Sequence, residues 1–214
     1  MTDAEYKALS IREFDAAAEK FDDNAPSIYN MCRKDYPEIL EELEKESFTD
    51  VLDAGCGTGA VLGLLAQSNS DGRYTGIDLS EKMIAVAQKK RLSNVSFVQG
   101  DCERLPFSPA SFDAVLCSQS FHHYPNPNDF FSSVKKVLRP GGRLILRDMT
   151  LPGWAVGFFN HIEVRLLNTL LKKGDVRIYR QRDIEVLCQR AGLKMERFER
   201  RKGMRLHCVC RKPE

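Results

Sequence analysis

Long apolar runs, secretory features and paired cysteines are all missing from this sequence. No run approaches the roughly 20 apolar residues that a membrane-spanning helix needs, and residues 1–5 lack the basic and apolar regions of a secretory signal. The seven cysteines are odd in number and are not closely paired as in metal sites. We therefore expect a cytoplasmic protein with reduced thiols, no membrane span and no disulfide framework.

A nucleic-acid-binding surface is also poorly supported, although charge is unevenly distributed. Residues 1–50 hold 6 basic and 14 acidic side chains, a balance of −8, and residues 172–214 hold 14 basic and 6 acidic ones, a balance of +8. A basic end can indicate nucleic-acid binding, but this one lacks the interleaved aromatic residues that stack on RNA bases. We predict no nucleic-acid partner and expect the two ends to be solvated or to attract each other.

The most informative stretch is a glycine-rich segment that follows a short apolar run. Asp53 follows Val51-Leu52, and Gly55, Gly57 and Gly59 come next at alternate positions. This pattern predicts a strand that turns sharply into a helix. Glycine permits the turn and lets a ligand lie against the backbone, and the free N–H groups at the helix start favour a carboxylate or a phosphate. We therefore predict a cofactor loop.

Two further carboxylates follow later apolar runs at similar spacing. Asp78 lies 25 positions after Asp53, and Asp101 lies 23 positions after Asp78. An acid at the carboxyl end of the second strand could bind ribose hydroxyls in either a dinucleotide or an adenosyl cofactor, and Gly55–Ala60 also satisfies the dinucleotide pattern. The third acid suits an adenine amino group, which a nicotinamide cofactor does not require. The three acids together favour an adenosyl cofactor.

Five segments together resemble the successive motifs of the class I S-adenosylmethionine-dependent methyltransferases. They are Val51–Gly59, Gly76–Ser80, Gly100–Phe107, Phe112–Val115 and Leu138–Leu144. The subgroup that they resemble contains the ubiquinone and menaquinone biosynthesis methyltransferases and many small-molecule relatives. The resemblance implies S-adenosyl-L-methionine as the cofactor and a small-molecule methyl acceptor, with oxygen, nitrogen and carbon open as the methylated atom. A nicotinamide-dependent oxidoreductase and a non-catalytic S-adenosylmethionine-binding protein are the alternatives.

Strand and helix patterns alternate along the chain, which predicts an α/β fold with a parallel sheet covered on both faces. The resemblance makes this fold a Rossmann-like three-layer sandwich with a seven-stranded, mostly parallel sheet. The last two strands, Leu193–Arg200 and Met204–Arg211, are predicted to form an antiparallel hairpin. We predict a helical cap over residues 1–47, a cofactor-binding domain over residues 48–214, and within it an insertion over residues 150–181. The insertion carries a helix, Phe158–Leu171, after the fifth strand.

The resemblance also assigns roles around the cofactor. The backbone of the three glycines lies close to the methionine part, Asp53 orients its amino end, and Asp78 binds both ribose hydroxyls. Asp101 accepts a hydrogen bond from the adenine amino group. Leu79 and Met83 flank the adenine, the Cys102 amide faces the ring, and Ser118 lies near the methionine and the methyl group. The predicted cofactor-binding residues are Asp53, Gly55, Cys56, Gly57, Gly59, Asp78, Leu79, Met83, Asp101, Cys102 and Ser118.

A histidine pair, His122 and His123, follows the fourth predicted strand at the mouth of the pocket. Either histidine could deprotonate an acceptor hydroxyl, because the pKa of histidine lies near working pH. Both could equally be packed or hydrogen-bonded loop residues. With Cys117 the pair lacks a fourth ligand at a recognisable spacing, so we predict no metal site.

Aromatic residues in the predicted cap are candidate substrate contacts. They are Phe14, Phe21, Tyr29 and Tyr36. Packing in the core is the alternative role for each of them.

Overall fold

A computed structural model describes residues 1–23, 30–160 and 174–214, which form one sheet with helices on both faces. The strands are β1 Asp50–Ala54, β2 Arg73–Asp78, β3 Val95–Gln99, β4 Phe112–Ser118, β5 Leu138–Met149, β6 Lys194–Arg201 and β7 Arg205–Arg211. The helices are α1 Asp3–Ala17, α2 Asn30–Leu43, α3 Ala60–Ser68, α4 Glu81–Gln88, α5 Pro127–Val137, α6 Gly153–Phe158 and α7 Gln181–Ala191. Short 3-10 turns occupy Ala18–Lys20, Cys102–Arg104 and Phe121–His123.

The sheet has seven strands in the order β3-β2-β1-β4-β5-β7-β6. Strands β1 to β5 pair in parallel, and β7 is antiparallel to both β5 and β6. The predicted α/β sandwich with a terminal antiparallel hairpin is therefore confirmed. Because the chain continues to β2 on one side of β1 and to β4 on the other, a crevice opens at the carboxyl end of β1, where ligands bind in such sheets.

Local sequence features set the ends of the helices. Ser80 caps α4, since its hydroxyl accepts a hydrogen bond from the Met83 N–H at 3.1 Å. Helix α5 begins at Pro127, whose fixed φ suits the first helical position. Asn126, the residue before Pro127, makes no side-chain cap, and its side-chain amide donates to Asp3 and Glu103.

The oppositely charged ends of the chain attract each other in the folded protein. Acidic side chains on α2 and just after it pair with arginines of β6 and β7. The pairs are Asp35–Arg205 (2.9 Å), Glu38–Arg205 (3.2 Å), Glu42–Arg197 (2.8 Å) and Glu46–Arg211 (2.6 Å). Of the two outcomes expected for the charged ends, the structure shows attraction. Three arginines of the basic end, Arg197, Arg205 and Arg211, are in this way paired with acidic side chains.

Helix α2 also contributes to the core beneath this charged layer. Ile39 and Leu43 are buried against Val51 of β1 and Leu62 of α3. On the opposite face, aromatic and aliphatic side chains of α5 and α7 cover the same sheet. Helix α2 is thus a layer of the sandwich, whereas α1 packs on α4 and on the turn Phe121–His123 at the carboxyl edge of the sheet. The division at residue 47 stays a prediction.

The segment after β5 is described only in part. Most of the predicted helix Phe158–Leu171 lies outside the described residues, and the described part begins with α6 at Gly153. Trp154 of α6 is 85% exposed. Within residues 1–23, 30–160 and 174–214, no helix is long and apolar enough to cross a membrane.

Candidate active site

A cavity of about 870 Å³, counting space open to solvent, lies at the carboxyl edge of the sheet beneath α1. Two predicted site residues, Gly59 and His122, are not part of its wall. The other eleven do line it: Asp53, Gly55, Cys56, Gly57, Asp78, Leu79, Met83, Asp101, Cys102, Ser118 and His123. The fold thus brings together residues from four separate strand ends.

The glycine turn leaves one side of the backbone open to the cavity. All three predicted glycines have positive φ, a conformation that favours glycine. A Cβ at Gly57 would meet only a ring carbon of Phe21, at 3.9 Å, so this position faces open space. A Cβ at Gly59 would come within 2.5 Å of the Phe97 ring, which explains why Gly59 does not line the cavity.

Asp53 is a buried carboxylate in the cavity wall. It is 2% exposed, and among the described residues nothing donates a hydrogen bond to its carboxylate. Burial, together with the charge of Asp78, raises the pKa of Asp53 to about 7. A buried carboxylate without a partner is costly. A positively charged ligand group at this place would remove that cost.

Asp78 holds the cofactor loop in place from the end of β2. One carboxylate oxygen accepts from the Gly57 N–H at 2.8 Å, and the other accepts from the Ser80 N–H at 2.9 Å. Burial raises the pKa of Asp78, although these backbone donors act in the opposite direction. Asp78 therefore has a structural role in the loop as well as a position on the cavity wall.

Asp101 is already paired within the protein. The Lys7 ammonium of α1 donates to Asp101 Oδ2 at 2.6 Å and also to Glu103. The other Asp101 oxygen accepts from the Glu103 N–H at 2.9 Å. An adenine amino group would therefore meet a carboxylate that shares its charge with Lys7. No pattern in the sequence links Lys7 to Asp101, 94 positions away.

Helix α1 and the turn after it are fastened over the cavity at further points. Ser80 Oγ donates to Asp15 at 2.5 Å, and Thr58 Oγ1 donates to Asp22 at 2.7 Å. The aromatic rings of Phe14, Phe21 and Tyr36 line the cavity, and Tyr29, the fourth candidate, lies outside the described residues. The predicted cap region therefore supplies much of the apolar wall.

Polar groups from β4 and the following turn complete the wall. The buried Ser118 hydroxyl has no hydrogen-bond partner among the described residues. Tyr124 hydrogen-bonds Ser120 Oγ at 2.7 Å, and a Cβ at Gly55 would lie 2.0 Å from that same oxygen. Ser120 and Tyr124 line the cavity but were not predicted as site residues, because only the folded turn places them against the glycine loop.

The two predicted histidines lie in different surroundings. His122 is buried away from the cavity. Its ring Nδ1 lies 2.7 Å from Asp148 Oδ1, and its backbone N–H donates to Asp148 Oδ2 at 3.0 Å. His123 lines the cavity, with its ring edge-on to Phe14 at 5.0 Å between centroids. Burial lowers the pKa of His123 to about 4. His122 therefore supports the turn, and His123 is the member of the pair that lines the cavity.

Known proteins carry the same sequence pattern and fold. A family profile described as a methyltransferase domain matches residues 52–146. A demethylmenaquinone methyltransferase of Thermotoga maritima is 31% identical over 188 residues, covering 85% of this chain and 81% of that protein. This chain belongs to the class I S-adenosylmethionine-dependent methyltransferases.

Two further comparisons delimit the family relationship. A phthiotriol/phenolphthiotriol dimycocerosates methyltransferase of Mycobacterium ulcerans is 40% identical over 100 residues, which is 46% of this chain and 37% of that protein. The chain thus matches well under half the length of this curated relative. A methyltransferase structure from Aquifex aeolicus has a TM-score of 0.69 at 20% identity, covering 92% of this chain and 98% of that one, which shows the shared fold.

S-adenosylmethionine is the cofactor that this methyltransferase family uses, and the cavity fits it. Its α-ammonium would meet the unpartnered carboxylate of Asp53, and the open face of Gly57 would take its methionine part. The orphan Ser118 hydroxyl supplies a further polar partner at the strand end. Apolar side chains of Leu79 and Met83 line the cavity beyond Asp78.

Proposed function

We propose that this chain transfers the methyl group of S-adenosylmethionine to a small-molecule acceptor. The observation that carries the proposal is that the bare glycine turn, Asp53 and Asp78 share one cavity with the aromatic residues Phe14, Phe21 and Tyr36. A nicotinamide-dependent oxidoreductase would not need the carboxylate of Asp53, because its cofactor has no α-ammonium group to bind there. The individual contacts assigned to the site residues are part of this proposal.

The cofactor brings an activated methyl group, so the chain has to align the donor and the acceptor and exclude water. Hydrogen bonds of Lys7 and Asp15 on α1, and of Asp22 after it, hold this part of the chain over the cavity. His123 is the residue of the histidine pair that would contact the acceptor. His122 would act through the turn, as a positioning residue held by Asp148.

We propose that the acceptor has a substantial apolar body. Support comes from the rings of Phe14, Phe21 and Tyr36, which line the cavity. Relatives of this chain are named for the methylation of apolar molecules: phthiotriol dimycocerosates, a fatty acid and demethylmenaquinone. An apolar acceptor would displace water from these rings as it binds.

Calorimetry and a turnover assay test the proposal together. S-adenosylhomocysteine should bind the wild-type protein, and methyl transfer should appear with an apolar acceptor in a panel that offers oxygen, nitrogen and carbon as the methylated atom. Asp78→Asn should weaken cofactor binding, because it disturbs both the ribose contact and the Gly57 loop. Asp71→Asn, an exposed aspartate in the preceding turn, is the matched control and should change nothing.

The outcomes separate the alternatives. Binding of NADH without binding of S-adenosylhomocysteine would refute methyl transfer and support the oxidoreductase. Binding of S-adenosylhomocysteine without turnover on any acceptor would instead support a non-catalytic binding protein. Methylation of nucleic acid would overturn the small-molecule assignment.

We further propose a cytoplasmic location, no nucleic-acid partner, and a covering role for residues 1–47. Seven free cysteines suit a reducing compartment. Arginines of the basic end are paired with acids of α2, which reduces their availability to phosphates. Cell fractionation and an electrophoretic mobility assay check the first two assignments.

A further inference from the structure

Three side chains converge beside the cavity in a way that methyl transfer alone does not require. They are His122 and His123, from the turn after β4, and Asp175, from the segment that leads to α7. One ligand atom from each lies within 4.8 Å of the other two. From the sequence we predicted no metal at the histidine pair, because the pair together with Cys117 lacks a fourth ligand at a recognisable spacing. Asp175 lies 52 positions after His123 and comes close only in the fold.

The separations between these atoms are too long for good hydrogen bonds. His122 Nε2 lies 3.6 Å from Asp175 Oδ1, and His123 Nδ1 lies 3.5 Å from the same oxygen. With metal–ligand bonds of about 2.1 Å, two ligands at neighbouring corners of a tetrahedron lie about 3.4 Å apart. The observed distances match that edge to within a few tenths of an ångström.

His122 already has the hydrogen bond that orients a metal-binding histidine. Its Nδ1 lies 2.7 Å from Asp148 Oδ1, and Asp148 is 1% exposed. A ligating histidine typically gives its second ring nitrogen to a carboxylate, which fixes the tautomer and leaves the other nitrogen for the metal. Here the nitrogen that remains is Nε2, the atom directed to Asp175.

His123 supplies an independent observation. It is nine-tenths buried, yet its Nδ1 has no hydrogen-bond partner among the described residues. The hydrogen-bonding partner of its ring is the backbone of Gly174. A buried polar atom without a partner is costly and calls for a missing ion or water. A metal ion placed between His123 Nδ1 and Asp175 Oδ1 would satisfy it.

We propose that His122 Nε2, His123 Nδ1 and Asp175 Oδ1 bind a divalent transition-metal ion of the Zn²⁺ type. Two imidazoles and one carboxylate suit Zn²⁺, Co²⁺ and Fe²⁺ better than Mg²⁺ or Ca²⁺, which prefer oxygen ligands. Three protein ligands leave a fourth position open, as in catalytic rather than structural zinc sites. Asp148 is the positioning residue of this site.

The ion would lie at the wall of the cavity, since His123 also lines that cavity. Its fourth position could take an oxygen of the methyl acceptor, which would favour hydroxylated acceptors. This extension rests on the proposed methyl transfer. Metal binding itself does not, because it can be measured without cofactor or acceptor.

Metal binding is tested on the full chain after treatment with a chelator. Cobalt should give visible absorption bands typical of a tetrahedral ion, saturating at one ion per chain, and Zn²⁺ should displace it in calorimetry. Asp175→Asn and His123→Ala should each weaken Zn²⁺ binding at least tenfold. Asp148→Asn should weaken it roughly tenfold to a hundredfold, as expected for an orienting carboxylate.

Asp183→Asn is the matched control, because Asp183 lies in the first turn of the adjoining helix α7, near Arg177 rather than the histidines. It should bind Zn²⁺ like the wild type. Asp175 is partly exposed, so its variant is expected to fold even if His123→Ala does not. Absence of saturable binding in the wild type, or binding that survives Asp175→Asn, would overturn the proposal.

The extension to the acceptor has its own measurement. Adding a catechol to the cobalt-loaded protein should shift the visible bands if an acceptor oxygen enters the coordination sphere. Unchanged bands would overturn the extension while leaving the metal site intact. If the wild-type protein binds cobalt but transfers no methyl group, the result counts against the proposed function and leaves the metal site intact.

Discussion

Replacing Asp53 by asparagine should stabilise the protein in the absence of cofactor. Burial and the neighbouring Asp78 raise the pKa of Asp53 to about 7, against an ordinary value of 3.8. The difference of about three pKa units corresponds to about 4 kcal/mol that the charged carboxylate costs the folded state above pH 7. An asparagine amide carries no charge, but it too lacks a partner, which costs about 1–2 kcal/mol. We therefore expect Asp53→Asn to gain about 2–3 kcal/mol at pH 8.

The sign of the pH dependence follows from the direction of the shift. A raised pKa in the folded state means that folded protein binds more protons than unfolded protein between about pH 4 and pH 7. Wild-type stability should therefore fall across this window as pH rises, relative to Asp53→Asn. Below about pH 4 both states hold the proton, and the gain of the variant should disappear.

Urea denaturation of both proteins at pH 4 and pH 8, without cofactor, measures the effect. Asp113→Asn is a control of opposite sign, because Arg139 and the backbone N–H groups of Thr49 and Asp50 hold the pKa of Asp113 below its usual range. It should lose stability at pH 8. An Asp53→Asn protein no more stable than wild type at pH 8 would refute the reasoning, since Asp53 would then have a charge partner.

The same variant should bind the cofactor less well. A charge-assisted hydrogen bond contributes about 1.5–3 kcal/mol, so loss of the Asp53–ammonium contact should weaken S-adenosylhomocysteine roughly tenfold to a hundredfold. Calorimetry at pH 8 measures this change. If Asp53→Asn is more stable than the wild type but binds S-adenosylhomocysteine less tightly, then Asp53 lowers the stability of the free protein and strengthens cofactor binding.

Four other substitutions give separate tests. Gly57→Ala should weaken S-adenosylhomocysteine binding, because the added methyl group enters the cavity. Gly59→Ala should chiefly lower thermal stability, because its methyl group would lie 2.5 Å from the Phe97 ring. Glu42→Gln should lower the free energy of unfolding by about 1–2 kcal/mol at pH 7, since ion pairs lower the pKa of Glu42 to about 2. In urea denaturation this loss should vanish as the pH falls from 4.5 toward 2. Lys7→Met should lose about 1–2 kcal/mol, because Glu103 would remain buried without its cation. Faster proteolysis of α1 in that variant would confirm the fastening, and unchanged cleavage would contradict it.

The sequence by itself determined the sheet and most of the cavity wall. Alternating apolar runs and helical patterns specify strands whose order follows from short, regular connections, so the ends of β1, β2 and β3 had to meet at one edge. Carboxylates placed just after those runs, such as Asp53 and Asp78, therefore had to share that edge. The hairpin followed from apolar residues at alternate positions, such as Leu206 and Cys208, although the structure also buries His207 between them.

Only the tertiary structure decided which groups meet across the cavity. Lys7 reaches Asp101, Ser120 approaches Gly55, and Asp175 reaches the histidine pair through contacts between elements far apart in sequence. The charge state of Asp53 likewise depends on burial, which no local pattern records. Short-range spacing fixes how a segment folds, but the partners of a side chain are set by how those segments pack.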